Sequence, residues 1–170
     1  MKAITLHQPW ASLIADGRKT IETRSWVPPK RMIGQRIAIH AGQKVDKAAA
    51  QEWGCAELHV GAVVATAKLA AAYRVVRVVD ISAGGGLAVC VSAYAESEPL
   101  FLDIDAYGDF GVGRALWMLD DVERTMPVAA IGKLGLWDLE SGLATAFLAD
   151  LDSPITAVLK GLEERDNGAT

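Results

Sequence analysis

Residues 17–24 read Gly17-Arg18-Lys19-Thr20-Ile21-Glu22-Thr23-Arg24, and two periodicities meet there. Upstream, the run Gln8-Pro9-Trp10-Ala11-Ser12-Leu13-Ile14-Ala15-Asp16 carries Trp10, Leu13 and Ile14 at i, i+3, i+4 spacing, the mark of one apolar helix face. Proline is accepted in a first helical turn, and Gly17 suits the residue just past the last one, so the spacing predicts a two-turn helix. Downstream, Thr20 to Trp26 alternates Ile21 with Glu22 and Thr23 with Arg24, a strand pattern that Pro28-Pro29 stops. In an extended chain Glu22 and Arg24 share a face. There they can pair, and the pair can orient the guanidinium toward a phosphate or a base edge. Lys19, at the turn, offers a point charge or, if desolvated, a base or nucleophile. An exposed salt bridge on a sheet face, worth ~0–1 kcal/mol, is the plain alternative.

Outward from this handover, short strands dominate. Lys2 to Leu6 precedes the helix, and Arg36 to His40 reads as a further strand. Asp46 to Trp53 looks helical, with Asp46 as N-cap and Gly54 as its stop. Val60 to Val79 is rich in β-branched residues, although Ala65 to Ala72 is equally compatible with helix. Leu87 to Tyr94 forms a strand between loops at Gly84-Gly85-Gly86 and Glu96 to Asp109. Arg114 to Val122 is another strand, followed by a glycine-punctuated turn and a buried Trp137. Five or six short strands with interspersed helices predict an α+β domain on a compact, barrel-like sheet over residues 1–140. From Leu143 the apolar spacing changes to that of two short amphipathic helices, so residues 141–170 are expected to form a helical extension on the same domain. The apolar faces of those helices would pack on the barrel, on a protein partner or on a second copy.

The chain has 170 residues, 51% hydrophobic and 22% charged, enough for one well-buried core and unlike a disordered chain. It holds no stretch of ~20 nearly uncharged apolar residues, so no membrane span is expected. The N-terminus meets Pro9 before a signal-peptide core can develop, and Cys55 and Cys90 form no motif, so a reducing, cytoplasmic setting is expected. The three histidines lack metal-ligand spacing, and no G-x-G-x-x-G turn, P-loop or G-x-S-x-G is present. Neither metal nor other cofactor is expected. Net charge is −4, but residues 17–36 hold six cations against one acid, while the other 150 residues hold 11 basic and 20 acidic groups. A small basic patch on an acidic body suits a few phosphates or a short anionic ligand better than a long duplex.

Other side chains add to the candidate site. Gln8 can read a base edge with its amide or cap the helix. His7 and His40 flank the charged segment and can act as general acid or base, or serve as buried hydrogen-bonded residues. Trp26, beside the two prolines, is a candidate stacking surface for a base, whereas Trp10 lies on the apolar helix face. Trp53, Trp117 and Trp137 recur in apolar segments and read as packing. Tyr107 and Asp109 sit in a glycine-rich loop that either lines a cleft or simply turns.

The segment 17–24 resembles the G-x-K-x-x-E-x-R signature of the ASCH family, whose fold is related to PUA domains, with Gly17, Lys19, Glu22 and Arg24 in its four positions. Leu6-His7-Gln8-Pro9-Trp10-Ala11 is similar to the entry into the first helix of many members, and Ile37-Ala38-Ile39-His40-Ala41 to the strand that follows. Gly108-Asp109-Phe110-Gly111, Arg114-Ala115-Leu116-Trp117 and Gly135-Leu136-Trp137 resemble later parts, so the likeness runs from Met1 to Leu139. The resemblance implies a β-barrel flanked by helices, with a cleft lined by the signature residues and suited to RNA or a modified nucleotide. Gln8, Lys19, Glu22, Arg24, Trp26 and His40 are then the expected ligand contacts. Some ASCH proteins are amidohydrolases acting on N4-acetylcytidine, and others are reported as ribonucleases. The resemblance places Lys19 at the lysine of the amidohydrolase branch, with Glu22 as a second catalytic candidate. That branch has threonine where this chain has Glu22. Its separate catalytic glutamate has three candidates here, Glu52, Glu57 and Glu96.

Overall fold

The computed structural model describes residues 1–81, 85–140 and 143. In chain order these form β1 (Lys2–Gln8), α1 (Trp10–Ala15), β2 (Ile21–Arg24), a 3-10 turn (Lys30–Met32), β3 (Arg36–Val45), α2 (Lys47–Glu52), β4 (Ala62–Ile81), β5 (Gly85–Ser92), β6 (Leu100–Asp103), β7 (Ala115–Ala129) and β8 (Leu136–Asp138). The strands join in one sheet of order β2-β7-β4-β3-β1-β8, with β5 and β6 branching from the far half of β4. β1 and β3 are parallel and the other pairs antiparallel. The expected helical extension lies outside the described residues, apart from Leu143, which packs against the buried cluster of Ala3, Ala38, Val63, Ala130 and Trp137.

β4 decides the curvature. Its alanine-rich middle, which on propensity alone fits a helix, is strand because it is paired on both sides, to β3 through residues 62–68 and to β7 through 62–74. Tertiary pairing overrides a weak local preference. Ala65, Ala67 and Ala72 are buried there, small enough for layers to pack closely. Three register shifts along β4 and β7 add twist and bend the sheet into a curled half-barrel. Ile4, Ile14, Ile37, Ile39, Leu69 and the fully buried Trp117 fill its interior, with α1 laid across the opening.

Two expected loops hold strands instead. Gly85 and Gly86 already belong to β5. Leu100–Asp103, within the acidic stretch read as loop, pairs with Leu87–Cys90 of β5. That short edge strand is too brief, and too flanked by acids, for its Leu100-Phe101-Leu102 run to stand out. The expected helix at residues 46–53 is present, with the Asp46 Oδ1 accepting from the Ala49 amide at 3.0 Å and Gly54 at φ +65° beyond its end.

The path ends at β2, and no ladder joins β2 to β1. A side chain crosses that seam: Arg24 on β2 donates from Nη2 to the Thr5 carbonyl of β1 at 3.0 Å. The candidate site lies in this gap in the barrel wall.

Candidate functional site

The end of α1 positions the first charged group. The Gly17 amide donates to the Ile14 carbonyl at 2.8 Å and the Arg18 amide to that of Leu13 at 2.9 Å, the paired bonds of a Schellman turn. Gly17, at φ +71°, supplies the left-handed residue this turn requires. The chain reverses sharply, and Lys19 points inward with no exposed surface. Its Nζ donates to the carbonyls of Ile21 at 2.5 Å and Tyr107 at 3.0 Å, and stands 3.6 Å from Glu22 Oε2.

β2, held in register by β7 through Glu22 opposite Trp117 and Arg24 opposite Ala115, supplies the other two groups. Glu22 Oε1 lies 2.9 Å from Arg24 Nε. The N–H is not directed along that line, so Nε has no hydrogen-bond partner and the contact is an ion pair. Burial pushes the Glu22 carboxyl above the ordinary 4.5, against the opposing pull of Lys19 and Arg24. Burial likewise pushes the Lys19 ammonium below its ordinary 10.5, with Glu22 opposing. Both shifts favour the uncharged forms, and each charge opposes the other's desolvation.

In front of this cluster opens a cleft of about 430 Å³, lined by Thr5, Leu6, His7, Trp10, Glu22, Thr23, Arg24, Trp53, Ala106, Tyr107, Gly108 and Asp109. That volume is within the range of small-ligand sites, ~300–1,000 Å³. Glu22 and Arg24 bring opposite charges to this lining. Trp10, Trp53 and Tyr107 bring rings in successive edge-to-face contacts with centroids 5.7 and 5.2 Å apart. His7 is an exposed rim residue whose imidazole is held below its ordinary 6.5 by partial burial and by Lys44 and Arg24. Asp109 is tied to Arg114, and its amide donates to Thr23 Oγ1 at 3.0 Å.

The structure brings Glu22 and Arg24 to the cleft surface, with Lys19 directly behind them, and places the other expected contacts elsewhere. Gln8 is fully buried and caps α1: its Oε1 accepts from the Ser12 amide at 3.1 Å, and its Nε2 donates to Ser12 Oγ and the His59 carbonyl. Trp26 is absent from the cleft lining because its ring packs edge-on against Trp117, which donates from Nε1 to the Trp26 carbonyl at 3.2 Å. His40 is 2% exposed, with Nε2 at 3.0 Å from the Ala130 carbonyl and its ring against Trp137. It too is outside the lining.

Nor do the six cations of residues 17–36 converge. Arg36 is paired with Asp121 and Glu123. Lys30 and Arg31 sit exposed in the 3-10 turn, and only Arg24 of the six lines the cleft. Glu52, Glu57 and Glu96 are likewise not among the lining residues.

Sequence reasoning missed Trp10 and Trp53 as cleft residues and assigned both to packing. Their spacing is that of a packed face, and the packing is real; what spacing cannot register is that the cluster's outer edge borders a cavity. Among the described residues, no group of three or more His, Cys, Asp or Glu side chains is placed to hold a metal ion, and no helix is long and apolar enough to cross a membrane.

No curated protein matches the chain significantly. Among solved structures it is similar to the ASCH protein of Zymomonas mobilis, at 21% identity over 75% of this chain and 72% of that one, with a TM-score of 0.41. A tyrosine-to-phenylalanine variant of the same Zymomonas mobilis protein aligns at 23% identity over 75% and 74%, again with a TM-score of 0.41. The family model for the ASCH domain matches residues 4–102, more than half of the sequence. That span carries most of β1, all of α1 and β2 and the whole Gly17 to Arg24 segment, and the chain belongs to the ASCH domain family.

Proposed function

We propose that this chain binds a nucleoside-sized unit of RNA or a modified nucleotide in the cleft between β1 and β2, in the cytoplasm. The observation that carries the reading is the pairing of Glu22 and Arg24, acceptor and donor side by side, in a cleft of about 430 Å³ that Trp10, Trp53 and Tyr107 also line. A planar heterocycle needs both: edge groups to read its hydrogen-bonding pattern and a ring face to stack on, the latter worth ~1–3 kcal/mol per base. Arg24 supplies the cation for a sugar or phosphate oxygen, because Lys19 is out of contact with solvent. Calorimetric titration with the four ribonucleosides, N4-acetylcytidine and a short single-stranded RNA tests this. Arg24→Ala weakens binding by about tenfold, equivalent to ~1.4 kcal/mol, and flattens the salt dependence for RNA. Unchanged affinity and slope remove the proposal.

A second reading, a small hydrolase of acylated nucleosides or RNA phosphodiesters, has one observation in its favour. Glu22 lines the cleft and burial pushes its carboxyl upward, the direction that suits a carboxyl to general acid work. Lys19 then sets the charge of Glu22 through their 3.6 Å contact and is not itself the attacking group, since two carbonyls already engage it. Turnover of N4-acetylcytidine or of short RNA that disappears in Glu22→Gln supports this reading. Turnover that persists in that variant removes it.

A further inference from the structure

Arg18 and Lys19 are adjacent in the turn after α1 yet point in opposite directions, and both hold the same residue. Lys19, inside, donates to the Tyr107 carbonyl at 3.0 Å. Arg18, exposed, has Nη2 at 3.4 Å from the Tyr107 hydroxyl and its guanidinium carbon 5.7 Å from the Tyr107 ring centroid, within cation–π range. Arg18 also donates from Nη1 to the Trp53 carbonyl at 2.8 Å. Trp53 ends α2, and Tyr107 belongs to the connection between β6 and β7, so two segments 54 positions apart are joined at this side chain. Their rings meet edge-on at 5.2 Å and face the cleft, whereas Arg18 is not part of its lining.

We propose that the perpendicular Trp53–Tyr107 pair receives the ligand, one ring stacking on it and the other meeting it edge-on, and that Arg18 is the positioning residue that fixes their mutual angle from outside the cleft. The inference rests on the cleft being a binding site for a planar ligand. Neither ring sits on a strand, and among the described residues no backbone hydrogen bond joins the two segments. Trp10 packs edge-on against the Trp53 ring, but without the strap the Tyr107 ring would sample other angles to it, and the entropy of ordering that pair would fall on ligand binding. A planar guanidinium suits the task because it can donate to a carbonyl from one nitrogen while its face or another nitrogen meets an aromatic ring; an ammonium presents no such plane.

The test uses the full chain labelled with 5-fluorotryptophan, whose five indoles are assigned by single substitutions, with cytidine and N4-acetylcytidine as probes. Arg18→Ala is expected to shift and broaden the Trp53 fluorine resonance, leave that of Trp137 in place, and weaken binding of the probe by about fivefold with melting unchanged; Arg18→Lys recovers only part of this. Tyr107→Ala should weaken binding at least as much, whereas Tyr107→Phe, which keeps the ring, should lose less. An Arg18→Ala protein whose Trp53 resonance is unmoved and whose affinity stays within twofold of the parent overturns the inference. If the unsubstituted protein binds neither probe, the reading of the cleft itself fails. The Trp53 resonance in Arg18→Ala then still decides whether the strap exists.

Discussion

Two buried polar regions lie on either side of Thr5, and only one opens to solvent. Toward β2, the Thr5 carbonyl accepts from Arg24, and Lys19, Glu22 and Arg24 back a cleft. Toward β8, the Thr5 hydroxyl accepts from Trp137 Nε1 at 3.1 Å, and His40 is enclosed by the Trp137 ring, the Ala130 carbonyl and Gly132. Both contain a titratable residue that the sequence marks as chemical. The His40 side is closed by packing, with no room beside its ring even for the Cβ of an alanine at position 132. The Glu22 side has opposed charges next to empty volume. Burial of a polar group is therefore an incomplete sign of a site; burial at the edge of a concavity, with charges only partly matched, is the stronger one.

The largest effect is expected on the open side. Lys19→Met leaves the Ile21 and Tyr107 carbonyls unpaired and Glu22 without its second cation, and urea denaturation should show a loss of about 3–5 kcal/mol. A loss below about 1 kcal/mol, the surface-pair range, would show that the cluster behaves as an exposed salt bridge. Gly132→Ala comes next. Its Cβ would lie 2.5 Å from His40 Cε1 and 2.9 Å from Thr5 Oγ1, so overpacking should destabilise by about 1–3 kcal/mol while ligand affinity is retained. Affinity falling in step with stability would couple the two regions and break the contrast.

The regions also carry opposite pH signatures. Burial holds His40 below 6.5, so its contribution to stability is complete above 6.5 and is lost as pH falls through the lowered folded-state value. Burial holds Glu22 above 4.5, so its contribution is complete below 4.5 and is lost as pH rises through the raised value. Each slope is at most about 1.4 kcal/mol per pH unit for one proton. Denaturation across pH 4–8 should therefore show His40→Gln with a flatter acid limb and Glu22→Gln gaining on the parent as pH rises. The same slope in parent and both variants would contradict the assignment. The smallest effect is expected for the double change Lys30→Ala and Arg31→Ala: nucleoside affinity within about twofold of the parent, because neither side chain lines the cleft. A larger loss would restore a role for the dispersed cations.

What the sequence revealed follows from the range of the interactions involved. Gly17, Trp10, Leu13 and Ile14 announced the helix and its end because a capping turn is settled by a few neighbouring residues. Asp46 and Gly54 did the same for α2. The pairing of Glu22 with Arg24 was legible because alternation along a strand is local. β6 was not, since an edge strand of four residues exists only through β5. The cation run was misleading for a related reason: closeness in sequence puts Arg36 near Arg24, but the chain turns at Pro28-Pro29 and Arg36 meets Asp121, 85 positions away. Tyr107 was legible as a cleft candidate from its glycine-rich loop, but its pairing with Trp53 was not, because that depends on the end of α2 meeting the β6–β7 connection at Arg18.

The most direct measurement is amide chemical-shift mapping on the isotopically labelled chain during titration with N4-acetylcytidine and cytidine. Saturable shifts centred on Leu6, Thr23, Tyr107 and Asp109 are expected, requiring about tenfold more ligand in Arg24→Ala, with the amides of His40 and Trp137 unmoved. Shifts centred instead on the groove between Tyr73 and Ser97, or on the pocket of His59 and Arg124, would contradict that placement.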